Sequence, residues 1–259
     1  MNKWNLILYH SKWQKMRLKK AMKLLATLSD TDYLTLSQLR GESPHSEVNL
    51  AVEEKMAFGD KVSHVFREQD SKHRAKYRRA LLENKQTLGE TIINRPYNDH
   101  GRGKFAFFFL PERMGTESAL FAGLYPSIHD FPSTEEVWEL STPADNNLIF
   151  FSEELTASFP ETISADAPDN AQYIVFIQYA TVETGKYTDG AHAFSVVARL
   201  TLYEKTNVPS SLLLLKSIDV SGGRLHTKYG YGDGRGPDPS INYIVDELFK
   251  LLKIYIPVW

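Results

Sequence analysis

Residues 194–203 alternate without a break. Phe194, Val196, Ala198, Leu200 and Leu202 interleave with Ser195, Val197, Arg199, Thr201 and Tyr203. A period of two is the period of a β-strand, and it predicts one face toward a core and one toward water. β-rich runs flank it at residues 173–182 and 212–220. The intervening residues 185–190 read as a hairpin loop, and Gly222 and Gly223 end the third run. Connections this short cannot return a strand in the same direction. The three runs are therefore expected to pair antiparallel, as a meander.

Helical spacing takes over after the meander. Asp238 or Ser240 can cap a closing helix to about Tyr255, with Ile241, Ile244, Val245, Leu248 and Leu252 as its core face. Asp246 and Lys250 form a favourable i,i+4 pair on it. Upstream, the apolar run 105–110 reads as a strand buried on both faces, and 148–151 as another strand. Residues 152–159 read as a short helix and 161–170 as a polar loop. Ser133 or Thr134 can cap a further short helix, with Glu135 and Glu136 in its first turn.

The first third reads helical. Met16, Ala21, Leu24, Leu25 and Leu28 keep helical spacing across 11–28, among Lys12, Lys15, Arg17, Lys19, Lys20 and Lys23. A short helix at 31–39 is expected to stop at Gly41, with Pro44 beyond it. Ser46 can cap a helix to about Gln69, with Gly59 as a point of interruption. Residues 72–84 read as a separate basic helix. Pro96, Asn98, Asp99, Gly101 and Gly103 mark a boundary. The expected organisation is a helical, basic region over 1–95 and an α+β domain over 104–259, with helices covering a mainly antiparallel sheet. The order strand, helix, three strands, helix from Leu148 onward resembles the small α/β accessory modules of bacterial envelope proteins, such as those of the curli-secretion lipoprotein family. The chain has no lipoprotein cysteine, and no diagnostic motif accompanies the resemblance.

Charge is sorted along the chain. Residues 114–185 hold 12 acidic residues and no Lys or Arg, whereas residues 1–113 hold 21 Lys+Arg against 13 Asp+Glu. Clustered cations, with Lys12, Lys15, Lys19 and Lys23 on one helix and Arg74, Arg78 and Arg79 on another, form the expected interaction surface. Its partner can be the chain's own acidic middle, a second copy, another protein, an anionic membrane surface or nucleic acid. A protein partner or self-association is the leading expectation.

Chemistry is harder to find. With no cysteine, disulfides, thiolate catalysis and Cys-ligated metals are excluded. No Gly-x-Ser-x-Gly elbow occurs, and the eight histidines lack metal-ligand spacing. His129-Asp130, His192 near Asp189, and Asn98-Asp99-His100 are the fragments nearest to a metal site. The pairs Glu135-Glu136 and Glu153-Glu154 are adjacent in sequence and so diverge on a helix. No cofactor, metal or catalytic residue is assigned. The most unusual segment is Gly-rich: Lys228, Gly230, Gly232, Gly234, Arg235 and Gly236 precede the closing helix. Free backbone amides and a helix N-terminus suit a phosphate or carboxylate. The same glycines equally suit a plain connector, and Asp233 and Asp238 would repel an anion.

The leading expectation is a non-enzymatic protein that acts by binding. The alternatives are an enzyme or binding domain for an anionic small molecule at the Gly-rich loop, and a nucleic-acid-associated protein using the basic helices. Residues 4–9 form too short an apolar run for a signal peptide, so the expected location is the cytoplasm. A chain trimmed at its start would leave the envelope open.

Overall fold

A computed structural model describes residues 3–28, 30, 32–82, 101–110, 137–139, 150–207, 211–222 and 234–255. The chain divides into two compact units, Met1–Ser63 and His64–Trp259. That division falls inside a helix. Most of the expected boundary segment lies outside the described residues.

The first unit is helical. Helix α1 spans Lys3–Thr27, α2 spans Tyr33–Glu42, and α3 begins at Ser46. Asp32 caps α2 by accepting from the Thr35 amide at 3.4 Å. Gly41 does not stop α2, which runs one residue past it. Ser43, in extended conformation with Pro44 behind it, ends the helix instead. Leu25, Leu36, Val48 and Val52 form the core, with Leu18, Ala21, Leu28, Leu39, Ala51 and Met56 packed around them. Each fully buried aliphatic side chain contributes about 1.5–3 kcal/mol. Polar pairs surround this core. Lys55 binds the buried Asp30, and Arg40 binds Glu53 at 2.8 Å. The Tyr33 hydroxyl donates to Asp60 at 2.8 Å, and burial together with that carboxylate pushes its pKa up to about 12.

Helix α3 is continuous from Ser46 to Leu82, where two helices were expected. Gly59 costs a helix interior about 1 kcal/mol relative to Ala, and no proline accompanies it, so the following turns outweigh the defect.

The second unit is an α+β fold around a seven-stranded sheet. Its strands are β1 (Phe105–Phe109), β2 (Val137–Glu139), β3 (Phe150–Phe151), β4 (Tyr173–Lys186), β5 (His192–Lys205), β6 (Ser211–Ser221) and β7 (Gly234–Arg235). The order is β2-β6-β5-β4-β1-β3, with β7 beside β5. The meander is present: β5 pairs antiparallel with both β4 and β6. The sheet is nevertheless mixed, since β1 pairs parallel with β4, Phe105 opposite Tyr173. Within the acidic middle, the strand Phe150–Phe151 and the helix Glu153–Ala157 lie where expected, and one short stretch differs. Val137–Glu139 is a strand paired with β6 through Val137 opposite Leu213, where the expected helix would have continued; Ser133 to Glu136 lie outside the described residues.

β1 is buried throughout, and both its edges are satisfied. β4 holds one edge. On the other, the Ser152 amide donates to Phe107 O at 2.9 Å, the Phe105 amide to Ile163 O at 2.7 Å, and the Ala165 amide to Phe105 O at 2.9 Å. The Phe107 amide donates to the Thr156 hydroxyl at 3.2 Å. Thr156 belongs to the short helix α4 (Glu153–Ala157), which Ser152 caps. One sheet face gathers Ala106, Phe108, Ile174, Phe176, Tyr203, Leu212 and Leu214. On the other face Phe107 stacks on Phe159 at 4.8 Å, and Phe159 meets Phe249 of the closing helix α5 (Ile241–Tyr255) at 5.6 Å. The alternation in β5 therefore holds only in part. Arg199 faces outward and binds Asp219 through two bonds of 2.6 and 2.7 Å, whereas Tyr203, expected to be wet, is fully buried against Phe176. Both faces are covered at that end of the strand.

Candidate functional site

The Gly-rich segment leaves β6 and returns to the same neighbour, β5. The Gly222 amide donates to Val196 O at 2.9 Å, and the Gly236 amide donates to Phe194 O at 2.8 Å. Between those anchors, β7 pairs parallel with β5, Gly234 opposite Ala193 and Arg235 opposite Phe194. The two ends also touch. A Cβ on Gly222 would sit 2.0 Å from the Pro237 carbonyl oxygen and 2.7 Å from Asp238 C and Pro239 N. Only glycine permits that approach. Lys228, Gly230 and Gly232 lie outside the described residues.

Arg235 and Gly236 are already engaged. The Gly236 amide belongs to the sheet, and Arg235 Nη2 binds Asp238 at 3.1 Å. Asp238 also accepts from Arg74 Nη1 at 2.8 Å, so one carboxylate bridges two guanidinium groups. Asp238 is therefore held by arginines. The N-cap position of α5 falls to Ser240, whose carbonyl accepts from the Ile244 amide at 3.1 Å.

Arg74 lies at the centre of this cluster. It comes from the second half of α3, and its side chain is 18% exposed. Its guanidinium stacks 3.7 Å from the Tyr179 ring centroid, and its Nε binds Asp70, one helical turn back, at 3.1 Å. Burial works against the Arg74 charge, but Asp70, Tyr179 and Asp238 outweigh it and raise its pKa. Burial raises the Tyr179 phenol, as does Asp70. The arrangement holds a carboxylate and keeps three elements together: α3, β4 and the approach to α5.

Arg74 is thus part of the fold rather than a bare surface cation. Lys72 pairs with Glu154 at 3.2 Å, and Lys76 lies 4.5 Å from the Phe150 ring centroid. The Lys72–Glu154 pair joins a basic stretch to the acidic middle. Both partners are exposed, so its contribution to stability is small. Its effect reaches Glu154, whose pKa is lowered first by a backbone hydrogen bond and then by Lys72. Arg78 and Arg79 lie on α3, and their side chains are outside the described set.

The first basic helix differs. From Lys3 to Thr27, α1 carries seven cations and no carboxylate. Lys12, Lys15, Lys19, Lys20 and Lys23 are exposed. Among the described residues, no carboxylate lies within ion-pair distance of them. Large apolar side chains share that surface: Trp13 is 43% exposed, Met16 58% and Leu24 45%. Arg17 stacks on Trp13 at 3.8 Å. At about 100° per residue, Trp13, Met16 and Leu24 fall within about 80° of one another, with Lys20 among them. Lys12, Lys19 and Lys23 form a line along one flank. Leu18, Ala21, Leu25 and Leu28 occupy a different side and face the core.

Several other titratable groups have structural partners. His192 Nδ1 lies 2.8 Å from Glu183, and Asp189 accepts from the Ala191 amide at 3.0 Å within the hairpin turn. His73 is buried, stacked on Phe109 at 4.9 Å. Among the described residues, no three His, Asp or Glu side chains are grouped to hold a metal. Glu153 and Glu154 are exposed at the start of α4. Lys205 was not singled out by sequence. It is buried at the end of β5, with its amine 3.1 Å from Asp169 O and 3.4 Å from Pro168 O. Burial lowers its pKa to about 8, against the pull of Asp169. A lysine at the end of an apolar strand gives no local sign of this.

No helix among the described residues is long and apolar enough to cross a membrane. Comparison with protein-family models, curated proteins and solved structures finds no match. The resemblance to envelope accessory modules has no counterpart there.

Proposed function

We propose that this protein acts by binding, without catalysis, and that the exposed side of α1 is the surface that meets an anionic partner. One observation carries the reading. A helix anchored by Leu18, Ala21, Leu25 and Leu28 displays five lysines free of nearby carboxylates among the described residues, interleaved with Trp13, Met16 and Leu24. Exposed apolar side chains gathered on one surface cost solubility and suit a contact. Cations of one sign steer an anionic partner toward it. Arg74 and Arg235 of the second unit do not offer this surface, because they share Asp238.

The reading is tested by charge reversal. Lys12→Glu with Lys19→Glu and Lys23→Glu should abolish retention on immobilised poly-glutamate at low salt. Circular dichroism and melting temperature should stay near the parent values, since all three positions are exposed. Retention of the triple variant equal to the parent's would reject α1 as the docking surface.

A further inference from the structure

We infer that the surface displayed by α1 is built for an anionic lipid surface, on which the helix lies flat. This rests on the docking reading above and names its partner. Three features of the helix choose among anionic partners.

The first is the interleaving of apolar and basic residues. Trp13, Met16 and Leu24 form a ridge, and Lys20 stands within it. A bilayer interface offers what that ridge needs: an apolar layer directly beneath an anionic one. Phosphates on nucleic acid match the lysines but give Met16 and Leu24 no apolar layer. The second is the shape of the ridge. From residue 13 to residue 24 it runs about 16 Å along a convex helix. A convex strip with cations along its flank matches a broad planar surface better than a groove. The third is chemical. Lysine stems cover apolar surface while their amines reach outward, so Lys12, Lys19, Lys20 and Lys23 can stay with headgroups as the ridge sinks. Trp13 is suited to the interface, with an apolar ring and a polar N–H. The core-facing side of α1 keeps its place against Leu36, Val48 and Val52. Binding therefore requires no unfolding of the helical unit.

Co-sedimentation with phosphatidylcholine vesicles, containing or lacking phosphatidylglycerol, tests the inference on the full chain. Binding should appear only with the anionic lipid and weaken as salt is raised. Each Lys→Gln change at Lys12, Lys19 or Lys23 should weaken it about fivefold. Trp13→Ala with Met16→Ala, which leaves the charge unchanged, should weaken vesicle binding at least about tenfold. Poly-glutamate retention without vesicle binding overturns the lipid inference and leaves the docking reading standing. Vesicle binding unchanged in the Trp13/Met16 variant also overturns it, because the ridge then does not enter the interface. A parent protein that binds neither probe removes both.

Discussion

Arg74 and Asp238, 164 residues apart in sequence, meet at 2.8 Å, and their contact ties α3 to the residues that lead into α5. Arg74 is enclosed by Tyr179 and Asp70, while Asp238 sits between Pro237 and Pro239 against Gly222. The arginine makes the contact through an outer nitrogen, and the carboxylate comes from a backbone with two fixed φ angles. A pair so constrained loses little side-chain freedom when it forms, unlike a typical surface ion pair.

Removing Arg74 should therefore be costly. Arg74→Met leaves Asp70, 11% exposed, without its helical partner, and leaves Asp238 with Arg235 alone. A loss of about 2–3 kcal/mol in urea unfolding is expected. Asp238→Asn keeps a hydrogen-bond acceptor and should cost less, about 1 kcal/mol. Equal and negligible effects from both changes would show that the cluster is not a tie between elements.

Gly222 allows a sharper steric test. A methyl group there would lie 2.0 Å from the Pro237 carbonyl oxygen, a backbone atom that cannot swing aside. Gly222→Ala should cost about 2 kcal/mol or more. Gly41 is the control: it lies in α2 with open space around its Cβ position. Gly41→Ala should stabilise by about 0.5 kcal/mol. A silent Gly222→Ala would mean that the approach to α5 does not rest on the end of β6.

Lys205 makes stability depend on pH in the alkaline range. Its folded-state pKa of about 8 lies below its ordinary value of 10.5. Between those values the unfolded chain holds a proton that the folded protein has released. Stability should therefore rise with pH across that window, by on the order of 2 kcal/mol between pH 8 and 10. Above about pH 10 the phenols reverse the trend. Tyr33 ionises only near 12 in the folded protein, so the unfolded state loses protons first. Chemical denaturation from pH 7 to 10 should show a rise in the parent and a flatter profile in Lys205→Met. A parent profile that falls across pH 8 to 10 would contradict the burial of this amine.

Local patterns and long-range pairings differ in what they write into the sequence. The meander was legible because period-two alternation and short connections are local, and Asp246–Lys250 was legible because i,i+4 spacing is local; that pair measures 2.6 Å. The parallel pairing of β1 with β4 joins Phe105 to Tyr173, and no residue near either end announces it. Val137–Glu139 follows residues that read as a helix start, but pairing with β6 claims its backbone. Tyr203 looked exposed because alternation reports one covered face and cannot report a second.

The candidate sites divide along the same line. Lys12, Lys15, Lys19 and Lys23 were legible as a cationic helix surface because solvent exposure follows from helical spacing. Arg74 was grouped with them by charge alone. Its enclosure depends on Tyr179 and Asp238, which the fold brings from far along the chain. Arg235 was read as an anion receptor, and the anion beside it is Asp238, three residues on.

The central claim is that α1 meets the partner, and lysine footprinting of the protein bound to soluble poly-glutamate tests it most directly. Acetylation with and without the polyanion, read residue by residue by mass spectrometry, reports which amines become covered. The account predicts protection at Lys12, Lys19 and Lys23, with Lys61, Lys216 and Lys250 acetylated as in the free protein. Protection at Lys216 or Lys250 with the α1 lysines unchanged would contradict it.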